Sequence, residues 1–167
     1  ILNRKLDVVE SRYKKSQFEF ERYAITAVSS IYGVELQQDN VEECIERLFE
    51  LFDARYTRLY REQCKDACRR NVRFVLSKNI LWGDALTLKV SGNKDEPIVF
   101  SEWTAINGSL IKRRDYTLDN LLAYQPMEEE DSNGHLNLFS DLGEEAFIPK
   151  PVKEYPPVHF LELDTYA

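Results

Sequence analysis

Residues 73–84, RFVLSKNILWGD, are the stretch on which the predicted fold depends. The stretch begins with apolar residues typical of a buried strand, continues through three polar residues, and becomes apolar again around Trp82. It follows about thirty residues with an uninterrupted helical pattern. We therefore expect one short strand and one short helix here, directly after a long helix.

That long helix is predicted over residues 38–70. Apolar side chains from Val41 to Tyr60 recur every three or four residues and fall within one broad arc at about 100° per residue. Neither Gly nor Pro interrupts the run, and Asp39 with Glu42 forms a capping-box-like start. A helix of about thirty residues is about 45 Å long, which exceeds the diameter of a small domain. We expect its short neighbours to leave part of the apolar arc for a partner chain.

The chain on either side of this helix has simpler patterns. Apolar residues at helical spacing predict helix over residues 1–32, which a single long helix can span. After residue 86 the period changes, and the runs LTLKVSG (86–92) and PIVFSEW (97–103) predict a hairpin. INGS, at 106–109, is expected to turn the chain before a short helix at 118–125, which Thr117 can cap.

Composition limits the class of protein. The 167 residues carry a net charge of −7, which argues against bulk neutralisation of nucleic acid. A hydrophobic fraction of 43% predicts a folded chain, and no apolar run approaches the length of a membrane span, so we expect a soluble protein. The sequence does not begin with Met, which suggests a fragment of a longer protein.

No motif predicts an enzyme. The sequence has no phosphate-binding glycine loop, no G-x-S-x-G, no H-E-x-x-H and no C-x-x-C. Three cysteines, an odd number, suggest a reducing compartment. Cys64 and Cys68 would share one side of a helix, but zinc usually needs four ligands, and the only histidines lie far along the chain. We therefore expect core thiols, with no metal, no cofactor and no catalysis.

Basic residues follow the second half of the long helix. They could contact nucleic acid or an acidic partner, but acids interleave with them, so a solvated face with helical ion pairs is the alternative. The basic stripe consists of Arg55, Arg58, Arg61, Lys65, Arg69, Arg70 and Arg73.

The order of these elements resembles the histone fold. In that family a long central helix is flanked by two shorter helices, and two chains clasp head to tail. AITAVSSIYGVE (24–35) would be the first helix, residues 38–70 the central helix, VRFV (72–75) the strand of the second loop, and SKNILWGDAL (77–86) the third helix. The resemblance implies that the strand pairs with a partner's loop and that Ser77 caps the third helix.

This resemblance implies a mainly α (α+β) fold in four parts. They are an N-terminal helical extension at 1–19, a histone-fold-like unit at 20–87, a β-hairpin and short-helix extension at 88–126, and an acidic linker with an extended partner-binding tail at 127–167. Its partner-facing residues would be Val41, Ile45, Leu48, Phe49, Phe52, Tyr56, Leu59, Val75, Ile80 and Trp82.

The implied function is that of a non-catalytic scaffold subunit. Nucleosomal histones are strongly basic, whereas this chain is acidic, so the better likeness is to histone-fold subunits of general transcription factors and coactivator complexes in the nucleus. The implied partner is a second histone-fold subunit, with DNA contact possible but secondary. The alternatives are a helical or coiled-coil adaptor of a kinetochore or tethering complex, and a small enzyme or ligand-binding domain.

The segment after the acidic linker is too apolar for a solvated tail and too rich in proline for a core. We expect either a disordered terminus or an extended strap whose side chains dock on neighbouring subunits. The anchors of such a strap would include Leu138, Phe139, Phe147, Ile148, Tyr155 and Phe160.

Overall fold

A computed structural model describes residues 1–123 and 149–167. These residues form a mixed α and β fold, which agrees in outline with the predicted class, although the histone-fold arrangement is not confirmed. The helices are α1 Leu2–Tyr13, α2 Gln17–Ser29, α3 Gln38–Tyr60, α4 Asp66–Asn79 and α5 Leu118–Ala123. The strands are β1 Gly33–Glu35, β2 Ile80–Asp84, β3 Lys89–Val90, β4 Val99–Asn107, β5 Leu110–Thr117, β6 Lys153–Glu154 and β7 Val158–His159. Two 3-10 turns are Arg61–Gln63 and Leu163–Tyr166.

The N-terminal region contains two helices rather than one. The chain leaves α1 after Tyr13 and restarts at Ser16, whose hydroxyl caps α2 by accepting the Glu19 N–H at 3.3 Å. The two helices then lie side by side, with the rings of Tyr13 and Tyr23 stacked 4.0 Å apart. Leu6 of α1 is completely buried, so this helix belongs to the core.

The predicted thirty-residue helix is wrong, because it breaks at Arg61. That residue has φ 48° and ψ −117°, and it ends α3 although no Gly or Pro is present. The turn is held against the last turns of α3: the Tyr56 hydroxyl accepts the Lys65 N–H at 2.8 Å, and the Cys64 thiol donates to the Tyr56 carbonyl at 3.3 Å. Helix α4 therefore folds back onto α3 and covers it from within the chain.

The stretch RFVLSKNILWGD has its helix first and its strand second, the reverse of the predicted order. Residues 72–75 lie inside α4, where Val72 and Val75 face the core at helical spacing. Ser77 does not cap a helix, since its hydroxyl donates to the Phe74 carbonyl within α4 at 2.7 Å. The strand is β2, and it pairs in parallel with β1 of the same chain rather than with a partner's loop.

Two small sheets complete the fold. One has the strand order β1-β2-β3, and the other has the order β4-β5-β6 with β7 also paired to β5. The predicted hairpin around residues 93–96 is limited to a bridge between Lys89 and Pro97. The main hairpin is β4–β5, and it turns at Gly108, with φ 51°, so the predicted turn at 106–109 is confirmed.

The described part of the tail, residues 149–167, packs on its own chain. Strands β6 and β7 add to β5, Tyr155 is buried, and Phe160 is fully enclosed in the main core. These two predicted anchors therefore dock within the chain rather than on neighbouring subunits. The other four, Leu138, Phe139, Phe147 and Ile148, and the acidic linker at 127–134 lie outside the described residues.

Candidate binding surface

Most residues predicted to face a partner lie inside the chain's own core. Helices α1, α2 and α4 pack around the apolar face of α3. The buried members are Val41, Phe49, Phe52, Tyr56, Val75 and Ile80. Ile45, Leu48 and Leu59 are half-buried against the same core, and Trp82 is 37% exposed. The described residues of the chain therefore cover most of these side chains themselves.

A buried carboxylate joins α2, α3 and the turn before α4. Glu21 of α2 is 0% exposed, and it accepts hydrogen bonds from the Tyr56 hydroxyl at 2.5 Å and from Gln17 Nε2 at 2.8 Å. The Lys65 ammonium donates to its second oxygen at 2.9 Å. Burial and the adjacent carboxylate raise the pKa of the Tyr56 phenol, which keeps it a hydrogen-bond donor. The carboxylate is thus fully engaged in holding the fold.

The basic stripe is neutralised by acids of the same chain. Its ion pairs are Arg55 with Asp7 and Glu10, Arg58 with Glu10, Lys65 with Glu21, Arg69 with Asp53, Arg70 with Asp164, and Arg73 with Glu46. Within the described ranges, Arg61 is the only member with no such pair. Because most of these cations are already occupied, the stripe does not form a free track for phosphates.

The cysteines do not converge on a metal site. Cys68 is buried and its burial raises the pKa of the thiol, whereas Cys44 is exposed. In the parts of the chain that the structure describes, no group of three possible His, Cys, Asp or Glu ligands comes together. None of the helices in these parts is both long and apolar enough to cross a membrane.

A concave feature lies on the β4–β5 hairpin. It is a pocket of about 440 Å³ that lies between Tyr32 in the loop before β1, one face of the hairpin, and α5. Its walls are mainly aromatic and aliphatic, with one carboxylate. The lining residues are Tyr32, Phe100, Ser101, Glu102, Tyr116, Leu118, Leu121 and Pro149.

Two aromatic rings form perpendicular walls of this pocket. The rings of Tyr32 and Phe100 are 5.4 Å apart and inclined at 83°. The Tyr32 hydroxyl donates to the Ser101 carbonyl at 3.0 Å, which fixes the ring against the hairpin. Tyr116 lies across from Phe100 on the neighbouring strand, so both side chains are on the same face of the sheet. Burial, followed by the nearby Glu102 carboxylate, raises the pKa of both tyrosines.

Beside the pocket, no strand of the described residues pairs with the outer edge of β4. The carbonyls of Arg113 and Asp115 accept from the tail at 3.0 Å and 2.8 Å, so these residues of β5 direct their backbone groups away from β4. Their partners on β4 are Trp103 and Ser101, and Ala105 continues the alternation. These three β4 residues therefore direct their N–H and C=O groups outward.

Part of that edge remains available. The Ser101 carbonyl already accepts from Tyr32, as described above. For Trp103 and Ala105, the described residues supply no backbone hydrogen-bond partner on the outer side. An edge of this kind is a template for pairing with another extended segment. We call the pocket together with the outer edge of Trp103 and Ala105 the hairpin surface.

The opposite face of the hairpin is rigidly supported. Arg113 donates to both oxygens of Asp115, at 2.8 Å and 2.9 Å, and the Ser101 hydroxyl donates to the same carboxylate at 2.7 Å. The indole N–H of Trp103 donates to Asn79 Oδ1 of α4 at 3.1 Å. The hairpin is therefore fixed to the helical core, and its surface is preorganised for binding.

The hairpin surface was not among the predicted sites. The alternation in PIVFSEW marks a strand, but Tyr32 lies about seventy residues away in sequence and reaches the strand only through the tertiary fold. No local pattern brings it together with Glu102 and Tyr116. Comparison of the chain with protein-family models, curated proteins and solved structures gave no match.

Proposed function

We propose that the chain is a non-catalytic protein-binding subunit whose partner docks on the hairpin surface. One observation carries this proposal: a strand edge that no described residue pairs with adjoins an aromatic pocket on a well-supported hairpin. Backbone pairing at such an edge gives affinity, and neighbouring pockets for side chains give specificity. The partner would therefore supply an extended segment.

A catalytic role has less support from the same residues. The two fully or nearly fully buried carboxylates, Glu21 and Asp115, are each held by several hydrogen bonds and do not line the pocket. Glu102, which does line it, faces mainly apolar walls. This arrangement suits recognition better than acid–base chemistry, which needs carboxylates with separated pKa values at a reacting centre.

The cellular setting stays a prediction from the sequence. A nuclear transcription or coactivator complex, with a histone-fold subunit as partner, rests on the sequence resemblance alone. A kinetochore or tethering adaptor is the alternative. Either setting is compatible with a subunit that binds an extended segment of another protein.

The proposal is tested by phage display, in which peptides are selected from a library of random twelve-residue sequences. The full chain is the target, and bound peptides are characterised by their affinity for two variants. Ala105→Pro removes the outward N–H donor while leaving the ladder to β5 intact, because Pro is tolerated at strand edges. Ala105→Val keeps the donor and serves as the matched control.

We expect enriched peptides that bind Ala105→Pro about 3- to 10-fold more weakly than Ala105→Val, as the loss of one hydrogen bond of about 0.5–1.5 kcal/mol requires. Circular dichroism of both variants checks that the fold is retained. The absence of any enriched peptide, or equal affinity for the two variants, would contradict docking at this edge.

A further inference from the structure

We propose that the pocket of the hairpin surface takes the quaternary ammonium group of a trimethylated lysine in the bound segment. This inference rests on the proposed function, because it assigns a chemical class to the side chain that enters the pocket. Three features carry it: the aromatic walls, the position of one carboxylate, and the scarcity of further hydrogen-bond acceptors.

Aromatic side chains make up much of the cavity wall. Tyr32 and Phe100 stand at 83° to each other, and Tyr116 lines the same space. A cation among such rings is attracted by their quadrupoles, most strongly where water is excluded. The volume of about 440 Å³ lies within the range of pockets that hold small ligands.

The carboxylate supplies a matching charge. Glu102 Oε2 accepts from the Tyr116 hydroxyl at 3.3 Å and from Arg114 Nη1 at 3.5 Å, the second of which is at the limit of a hydrogen bond. The hydrogen bonds of the described residues leave the other oxygen, Oε1, unoccupied. Arg114 is also held by Glu154 at 3.2 Å, so it does not fully neutralise Glu102. The pocket therefore retains negative character.

The remaining walls favour a methylated over an unmodified ammonium. A lysine –NH₃⁺ has three donors that need acceptors once water is removed. Beyond the free Glu102 oxygen and the tyrosine hydroxyls the pocket offers few, because Leu118, Leu121 and Pro149 are apolar and the Ser101 carbonyl already accepts from Tyr32. A quaternary ammonium has no N–H donor, so its transfer leaves no hydrogen bond unmade.

The adjoining strand edge indicates that the cation is part of a peptide. Trp103 and Ala105 lie one and three residues beyond Glu102 along β4, which is about 3 to 10 Å at the rise of an extended chain. A segment paired with this edge can therefore place a long side chain into the pocket. A free choline-like molecule would use the rings and the carboxylate but not the edge.

Fluorescence anisotropy with the full chain tests the inference. A peptide that binds the β4 edge is synthesised in three versions, with lysine, trimethyllysine or the neutral tert-butyl isostere of trimethyllysine at the pocket position. We expect the trimethyllysine peptide to bind at least about 5-fold more tightly than either of the others. Glu102→Gln should reduce that preference, and Tyr32→Leu should abolish it. Tyr32→Phe, which keeps the ring, should retain most of it.

The outcomes separate this inference from the proposed function. Equal affinity of the neutral isostere, together with sensitivity to Ala105→Pro, would show an apolar pocket beside a functional edge, and only the trimethyllysine assignment would fail. Insensitivity of every peptide to Ala105→Pro would overturn the proposed function as well. Tetramethylammonium is the probe for a free ligand, and binding as tight as that of the trimethyllysine peptide would overturn the assignment to a peptide.

Discussion

Glu21 illustrates, at the scale of single residues, how a buried charge can organise a helical core. Its carboxylate accepts hydrogen bonds from Gln17 of α2, from Tyr56 of α3 and from Lys65 in the turn before α4. Removing one partner of a buried charged network leaves the others without their hydrogen bonds. The chain therefore depends on this side chain for helix packing, although sequence patterns mark it only as one more acid.

We predict that Glu21→Ala lowers the free energy of unfolding by about 1–3 kcal/mol, because it leaves the buried Tyr56 hydroxyl without its acceptor, whereas the half-exposed Lys65 ammonium can turn to water. Tyr56→Phe should cost about 1–2 kcal/mol, since only the hydroxyl's hydrogen bonds are lost. Urea denaturation followed by circular dichroism measures both. A loss below about 1 kcal/mol for Glu21→Ala would show that water replaces the network.

Glu10 gives a pH-dependent prediction. Hydrogen bonds and charge from Arg58, with a further contribution from Arg55, lower the pKa of this carboxyl below its ordinary value of 4.5. A carboxyl whose pKa is lower in the folded state stabilises the fold above its unfolded pKa, and this contribution is lost as pH falls through the folded pKa. In the Glu10→Gln variant, the free energy of unfolding should therefore fall less than in the wild type as the pH drops below about 4.5.

The measurement is the urea midpoint of wild type and Glu10→Gln at pH 7 and at successive values below pH 4.5. The difference between the two proteins should be largest at neutral pH and should shrink in acid. Asp39→Asn, at an exposed position in the first turn of α3, is a suitable control. A difference that stays constant down to low pH would contradict the role of the Glu10 ion pairs.

At the scale of elements, the break between α3 and α4 determines the architecture. Arg61 adopts φ 48° and ψ −117°, a region that disfavours residues with a side chain and suits glycine. We predict that Arg61→Gly leaves stability unchanged or raises it by up to about 1–2 kcal/mol, because relief of strain offsets the greater entropy of the unfolded glycine. A loss of more than about 1 kcal/mol in thermal unfolding would contradict a strained backbone here.

The sequence predicts these elements unevenly, for physical reasons. The apolar spacing identifies helix correctly in α3 and in the first residues of α4, but it continues across Arg61, where hydrogen bonds between Tyr56 and the turn at Cys64 and Lys65 hold the break. It also misses that 72–75 continue α4 rather than forming a strand. The turn at Gly108 is predictable because its φ of 51° suits glycine. The basic stripe is visible in sequence, yet its neutralisation depends on distant acids such as Asp7 and Asp164. The hairpin surface likewise depends on Tyr32, which no local pattern connects to β4.

At the scale of the whole molecule, the described residues supply their own core. Leu6 of α1, Phe52 of α3, Ile111 of β5 and Phe160 of the tail belong to one buried cluster. The tail therefore packs directly on the helices, and the described residues cover most of the apolar face of α3. Binding and folding are separate properties of this chain if its partner docks on the hairpin surface.

We accordingly predict that the chain unfolds as one cooperative unit without a partner, with a urea midpoint independent of protein concentration. Phe160→Ala should lower the free energy of unfolding by about 3–5 kcal/mol, since it removes a fully buried ring. Val152→Ala, at an exposed position of the same tail, is the matched control and should change it by less than about 0.5 kcal/mol. A midpoint that rises with concentration would indicate that association completes the core.

Amide hydrogen exchange tests the hairpin surface most directly. It is measured residue by residue by NMR, first on the free full chain and then on the chain saturated with a selected peptide. In the free chain, the outward amides of Trp103 and Ala105 should exchange much faster than those of Glu102 and Thr104, which face β5. Peptide binding should slow the exchange of Trp103 and Ala105 most. Protection of these two amides before any peptide is added, or peptide-induced protection on α3 instead, would contradict docking at the β4 edge.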